Sequence, residues 1–120
     1  MLSNRNKKVP LNKKGNTSVV DYGNWLTVIL HTTAVVQIDR DKNIMHLNSG
    51  GWHTPTTKQR INQASEEYNL GIVVYQKKWE WYVDLADGNT VDFTDGMTID
   101  LTTGKLHGRR VRGVLVTEEN

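Results

Sequence analysis

From Trp79 to Leu101, apolar and polar residues alternate with a period of two, and Asp-Gly interrupts the pattern twice. Trp79, Trp81, Val83 and Leu85 alternate with Glu80, Tyr82, Asp84 and Ala86. Val91 and Phe93 then alternate with Asp92 and Thr94, and Met97, Ile99 and Leu101 with Thr98 and Asp100. Successive side chains of a strand point to opposite faces, so the pattern calls for half-buried strands. Asp87-Gly88 suits a hairpin turn, and Asp95-Gly96 turns the chain again. A chain with this pattern is committed to antiparallel β-structure that has one packed face and one wet face. On this reading Trp79 and Trp81 belong to the packed face, and Tyr82 is the better candidate for an exposed aromatic. Asp84, Asp92 and Asp100 fall on wet faces and read as solvated acids rather than a cation site or catalytic acids.

Upstream, Asn24 to Leu30 is apolar on both alternating faces and predicts a central strand. His31-Thr32-Thr33 reads as a bulge or break before a second strand, Ala34 to Asp39. A polar turn follows, then a third strand at Ile44 to Leu47. One helix is predicted, at about Thr56 to Tyr68, with two candidate starts: a capping box of Thr56 and Gln59, or Thr54 as cap with Pro55 at the first helical position. Ile61, Ala64, Ser65 and Tyr68 share its apolar stripe, while Lys58, Gln59, Asn62, Gln63 and Glu66 point elsewhere. Asn69 and Gly71 suit its end. The expected fold is α+β: an antiparallel sheet of five to seven short strands, with a C-terminal β-meander and one helix packed on a face.

At 120 residues the chain is long enough for one domain with its own core. Residues 1–17 read as a flexible basic arm, 18–101 as the α+β domain, and 102–120 as a basic segment whose Val111 to Val116 offers an edge strand. Charge is segregated accordingly. Residues 1–16 carry Arg5, Lys7, Lys8, Lys13 and Lys14 without an acid, and residues 102–117 carry Lys105, Arg109, Arg110 and Arg112 without one. Basic ends of this kind either neutralise phosphates or serve as solvated tails. There is no cysteine, which excludes disulfides and thiolate metal sites. His31, His46, His53 and His107 show no metal-ligand spacing, so neither a metal nor a cofactor is expected. The longest apolar run, Leu26 to Leu30, is far short of the roughly 20 residues that span a bilayer, and the first residues show no secretory signal. A soluble cytoplasmic protein without a membrane partner is the expectation.

The segment Gly50-Gly51-Trp52-His53-Thr54-Pro55-Thr56-Thr57-Lys58-Gln59-Arg60 carries the most concentrated chemistry. Its glycines allow backbone N–H groups to approach an anion. Thr54, Thr56 and Thr57 offer hydroxyls, Lys58 and Arg60 charge, and Trp52 a stacking plate. It is no P-loop, because the glycine-to-lysine spacing is wrong and Gln59 follows the lysine. In the architectural alternative, the threonines cap the helix, the glycines shape the turn and Trp52 anchors the loop in the core. Lys58 and Arg60 lie in the first helical turns, where cations oppose the helix dipole, and this favours a partner anion.

The stretch from His31 through Leu47-Asn48-Ser49-Gly50-Gly51-Trp52, the Thr56 to Gln63 helix start, and Val74-Tyr75-Gln76-Lys77-Lys78-Trp79-Glu80-Trp81 together resemble small proteins of tailed bacteriophages, over about residues 20–100. The resemblance implies a viral origin and action in a bacterial cytoplasm or on a virion, and it transfers no catalytic or binding residue. The residues themselves assemble no catalytic set, so a non-enzymatic binding protein is expected. Nucleic acid is the leading partner, held with little sequence preference by Lys7, Lys8, Arg109, Arg110, Arg112, Lys58 and Arg60 with Trp52. The alternatives are an interaction with a host protein, a minor virion component, and a nucleotide-binding sponge.

Overall fold

The computed structural model describes residues 10–111 and 114–117. Within them the chain forms β1 (Thr17–Tyr22), β2 (Trp25–Leu30), β3 (Thr33–Asp39), β4 (Ile44–Leu47), α1 (Pro55–Tyr68), β5 (Val73–Lys77), β6 (Glu80–Asp84), β7 (Thr90–Asp92), β8 (Met97–Asp100), β9 (Lys105–Val111) and β10 (Val114–Thr117). All strand pairs are antiparallel. The fold is α+β, mostly strand with a single helix among the described residues, in agreement with the patterning.

The strands divide between two sheets. A seven-stranded sheet has the order β1-β2-β3-β4-β8-β9-β10, and a three-stranded sheet the order β5-β6-β7. The large sheet is therefore one long meander, into which everything from the loop after β4 to the end of β7 is inserted. The alternating segment at 79–101 does not stay together as a meander: β6 and β7 belong to the small sheet, and β8 crosses to pair with β4. Thr98, expected on a wet face, is fully buried, because β8 lies inside the large sheet between β4 and β9. The first hairpins follow local chemistry. His31 takes a left-handed φ of 57° in the two-residue turn between β2 and β3, and Asn43 does so at 55° before β4.

Helix α1 packs against β2 and β3 of the large sheet and β5 of the small one. Ile61 and Ala64 are fully buried in a core that also contains Leu26, Val28, Val35, Met45, Val74, Val83 and Ile99. Burying a side chain such as Ile61 contributes about 1.5–3 kcal/mol. The cap is the Thr54–Pro55 alternative: Thr54 Oγ1 accepts from the Thr57 N–H at 3.2 Å. Asn69 closes the helix in the left-handed conformation at φ 58°. Leu11, in a short 3-10 turn at Leu11–Lys13, is buried in the same core, and its N–H donates to Glu67 Oε1.

A second face of the helix has a task that its polarity concealed. β5 is an edge strand, and an edge leaves backbone N–H and C=O groups without a strand partner. Asn62 supplies both: its Nδ2 donates to the Val74 carbonyl at 2.8 Å, and its Oδ1 accepts from the Val74 N–H at 2.7 Å. Ser65 repeats the arrangement, donating to the Ile72 carbonyl at 2.7 Å and accepting from its N–H at 3.0 Å. Lys58 Nζ continues the line to the Gln76 side chain at 3.0 Å. Residues 58, 62 and 65 thus run along 76, 74 and 72, and the helix closes the sheet edge with side chains in place of a strand.

On the other side, β1 is held to the β3–β4 turn by a two-bonded ion pair from Arg40 to Asp21, at 2.6 and 3.1 Å. The Arg40 hydrogen bond holds the Asp21 carboxyl below its ordinary range. Burial, then the neighbouring Glu67, pushes the Tyr68 phenol up. Among the described residues no helix is long and apolar enough to cross a membrane.

Candidate functional site

The loop between β4 and α1 is tied down by its own polar groups. Ser49 donates to Asp95 Oδ1 twice, from its N–H and its hydroxyl, both at 2.7 Å. The Gly50 N–H donates to Asn48 Oδ1, and the Gly51 N–H to Ser49 Oγ. Both glycines sit at positive φ, 63° and 83°. Gly50 also has no room for a side chain, since a Cβ there would stand 2.6 Å from Thr33 Oγ1. The N–H groups expected to approach an anion are therefore already engaged inside the loop, and the glycines serve its shape.

His53 anchors the loop, not Trp52. Its ring stacks on Trp81 with centroids 4.5 Å apart, and Phe93 closes on Trp81 edge-on at 5.3 Å. Trp52 is left 67% exposed. It stands at the rim of a cleft of about 480 Å³. The β2–β3 turn contributes His31, Thr32 and Thr33, the loop Ser49 and Trp52, and the helix start Thr54, Thr56 and Thr57, over an apolar floor of Leu30 and Val35. This is an aromatic wall facing a run of hydroxyls, suited to hold a planar polar ligand.

The structure brings together only some of the residues singled out from sequence. Trp52, Thr54, Thr56 and Thr57 share the cleft, although Thr57 is buried and its hydroxyl meets that of Thr54 at 3.1 Å. Lys58 and Arg60 diverge. Lys58 reaches toward the small sheet, with Nζ bonded to Gln76 and 5.2 Å from the centre of the Trp81 ring. Arg60 turns to β1, donating from Nε to Thr17 Oγ1 at 2.9 Å and from a terminal nitrogen to Gln63. Both cations thus have intramolecular partners that offset their unfavourable place near the helix start. Arg109 is exposed on β9, level with Met97 of β8, and Met97 pairs with Leu47 of β4. It therefore lies toward the end of the large sheet that carries the cleft. Arg110 contributes its backbone to β9, while Lys7, Lys8 and Arg112 lie outside the described residues. Asp84 and Asp92 belong to the small sheet and Asp100 to the large one, so the three do not form one acidic face.

One prominent residue escaped the sequence reading. Trp79 is not on the packed face of β6; it is 89% exposed. The pairing of Lys77 with Glu80 makes Lys78 and Trp79 the two residues of the β5–β6 turn, with φ values of 52° and 73°. Period-two phase alone places Trp79 with Trp81. The visible signal was symmetry: Val74 and Gln76 share one face of β5 and pair with Val83 and Trp81, which centres the turn on 78 and 79. Lys77, Lys78 and the helix's Lys58 collect at this end of the small sheet, opposite the end that carries Asp84 and Asp87.

The model of the family described as Kyanoviridae Gp96 protein matches residues 3–100. The chain belongs to the Kyanoviridae Gp96 protein family. Kyanoviridae are tailed phages, so the resemblance to tailed-phage proteins holds at the level of a phage family. No curated protein and no solved structure matches the chain. The span shared with the Gp96 family takes in α1 and β1 to β8, and with them the cleft and the β5–β6 turn; β9 and β10 lie beyond it.

Proposed function

We propose that this phage-family protein is a non-enzymatic binding protein that holds nucleic acid with little sequence preference through the Trp52 cleft. The observation that carries the reading is the exposure of Trp52 beside a hydroxyl-lined cleft, while the neighbouring His53 does the anchoring. An exposed indole on a rigid loop offers a stacking surface to any base, and hydroxyls accept or donate without choosing one. Long-range attraction is assigned to the basic residues of both chain ends, with Arg109 toward the same end of the large sheet. Action in the host cytoplasm or on the virion is part of the same proposal.

The test is a titration of labelled RNA, single-stranded DNA and duplex DNA at low and moderate salt. Binding that falls steeply with salt and weakens in Trp52→Ala supports the reading; no binding at low salt removes it.

A second reading, docking on a host protein, has its own support. Val20 and Tyr22 of the edge strand β1 are exposed, Tyr22 at 82%, with Trp25 partly exposed on β2. Among the described residues no strand pairs with the outer edge of β1, and an edge flanked by apolar side chains suits strand addition by a partner. Recovery of one host protein from nuclease-treated lysate, lost when Val20 is replaced by lysine, would favour it over the cleft.

A further inference from the structure

The β5–β6 turn lies outside the cleft and is an unusual construction. A two-residue turn with both central residues at positive φ is the type that Asn-Gly adopts at low cost, and here Lys78 and Trp79 occupy it. Left-handed backbone at a bulky, branched-at-Cγ aromatic is an outlier, and nothing in the packing requires it, because the Trp79 ring is 89% exposed. The turn holds the largest side chain available at a highly exposed point, in a conformation that opposes it.

We propose that this turn is a second binding element, specific for single-stranded nucleic acid, in which the Trp79 indole stacks on an unpaired base while Lys77 and Lys78 meet the flanking phosphates. The assignment does not depend on the Trp52 cleft. Its chemistry is that of a stacking platform next to cations, which accepts any base and needs that base out of a duplex. Gln76, Lys78 and Trp79 border one shallow depression on the turn, and Lys77, Lys78, Tyr75, Tyr82 and Thr90 border another. A strand crossing the turn therefore meets Lys78 beside the indole and Lys77 with Lys78 in the adjoining depression. Charge complementarity supports the choice: Lys58, bonded to Gln76, adds a third cation at this end beside Glu80, while Asp92 stands level with Tyr82 at mid-sheet and Asp84 and Asp87 belong to the other end. A lipid surface fits less well, because the tip offers a single large apolar side chain and interfacial anchoring needs a continuous apolar face.

The experiment measures fluorescence anisotropy of a labelled oligothymidine of about 15 nucleotides, a length that covers the usual site size, and of a duplex of the same length. Trp79→Ala is expected to weaken oligothymidine binding about 5- to 150-fold and leave duplex binding unchanged. Trp79→Phe should retain most of the affinity. The double change Lys78→Asn/Trp79→Gly should lose the binding yet melt at a higher temperature than the natural chain, because it installs the favoured turn; this separates loss of contact from loss of fold. Unchanged oligothymidine binding in Trp79→Ala, equal losses on single strand and duplex, or Trp79-dependent capture by phosphatidylserine vesicles without oligothymidine binding would each overturn the proposal. Binding that survives Trp52→Ala but not Trp79→Ala counts against the cleft reading alone, and the converse against this one alone.

Discussion

Replacing Asn62 by alanine tests the idea that the helix substitutes for a strand along β5. The change removes two short hydrogen bonds, at 2.8 and 2.7 Å, and strands the N–H and C=O of Val74, a residue only 2% exposed. A net loss of about 1–1.5 kcal/mol for each bond gives about 2–3 kcal/mol, with more if water cannot reach the stranded groups. Alanine's better helix propensity returns roughly 0.5 kcal/mol. The expected net destabilisation is about 2 kcal/mol, a large part of the roughly 5–15 kcal/mol that holds a domain of this kind together. Urea and thermal unfolding should show it as a fall in melting temperature of about 8 °C. Hydrogen exchange adds a local readout, since the Val74 amide should lose protection relative to Val83 in the middle of the small sheet. Ser65→Ala should act on Ile72 in the same way, and the double variant should depart from additivity because Ile72 and Val74 are two residues apart in one segment. A cost below about 0.5 kcal/mol for Asn62→Ala, with Val74 still protected, would refute the edge-closing role.

Other consequences follow from single contacts. Gly50→Ala forces a side chain into a left-handed position and onto Thr33 in the cleft wall, so unfolding should show a loss of at least about 1–2 kcal/mol, and any cleft ligand should bind more weakly. His53→Ala removes the stack on Trp81; proteolysis within residues 49–54 should quicken while the circular dichroism of the sheets stays unchanged. Asp21 is held below its ordinary value by Arg40, so the pair's contribution is present above the unfolded carboxylate pKa and fades as pH falls through the folded value. The melting-temperature gap between the natural chain and Asp21→Asn should therefore be present at neutral pH and close in strong acid. Charge reversal Arg109→Glu should lower nucleic-acid affinity and flatten its salt dependence without moving the melting temperature much.

Features set by neighbours in the chain were legible. The Thr54–Pro55 start and Asn69 stop of α1 are local hydrogen-bond chemistry, and β4 fell where its apolar residues put it, at Ile44 to Leu47. β1 was not read, because Val20 and Tyr22 face solvent at a sheet edge and leave no alternating trace. Of the candidate site, the threonines and Trp52 converge as a compact loop should. Lys58 and Arg60, two cations near the helix start expected to share a partner anion, point to different sheets.

Periodicity and capping by themselves determined the class, α+β with antiparallel strands, together with the helix and most strand positions. These depend on backbone geometry and near neighbours. Tertiary structure decided that β4 should pair with β8 across the whole inserted layer, that Asn62 and Ser65 should close an edge, and that His53 rather than Trp52 should stack on Trp81. It also decided that Trp79 should leave the packed face for a turn tip. The physical reason is common to all four. Which polar group must find a partner, and which ring has a surface to cover, depends on what lies opposite, and that is supplied by segments distant in the chain.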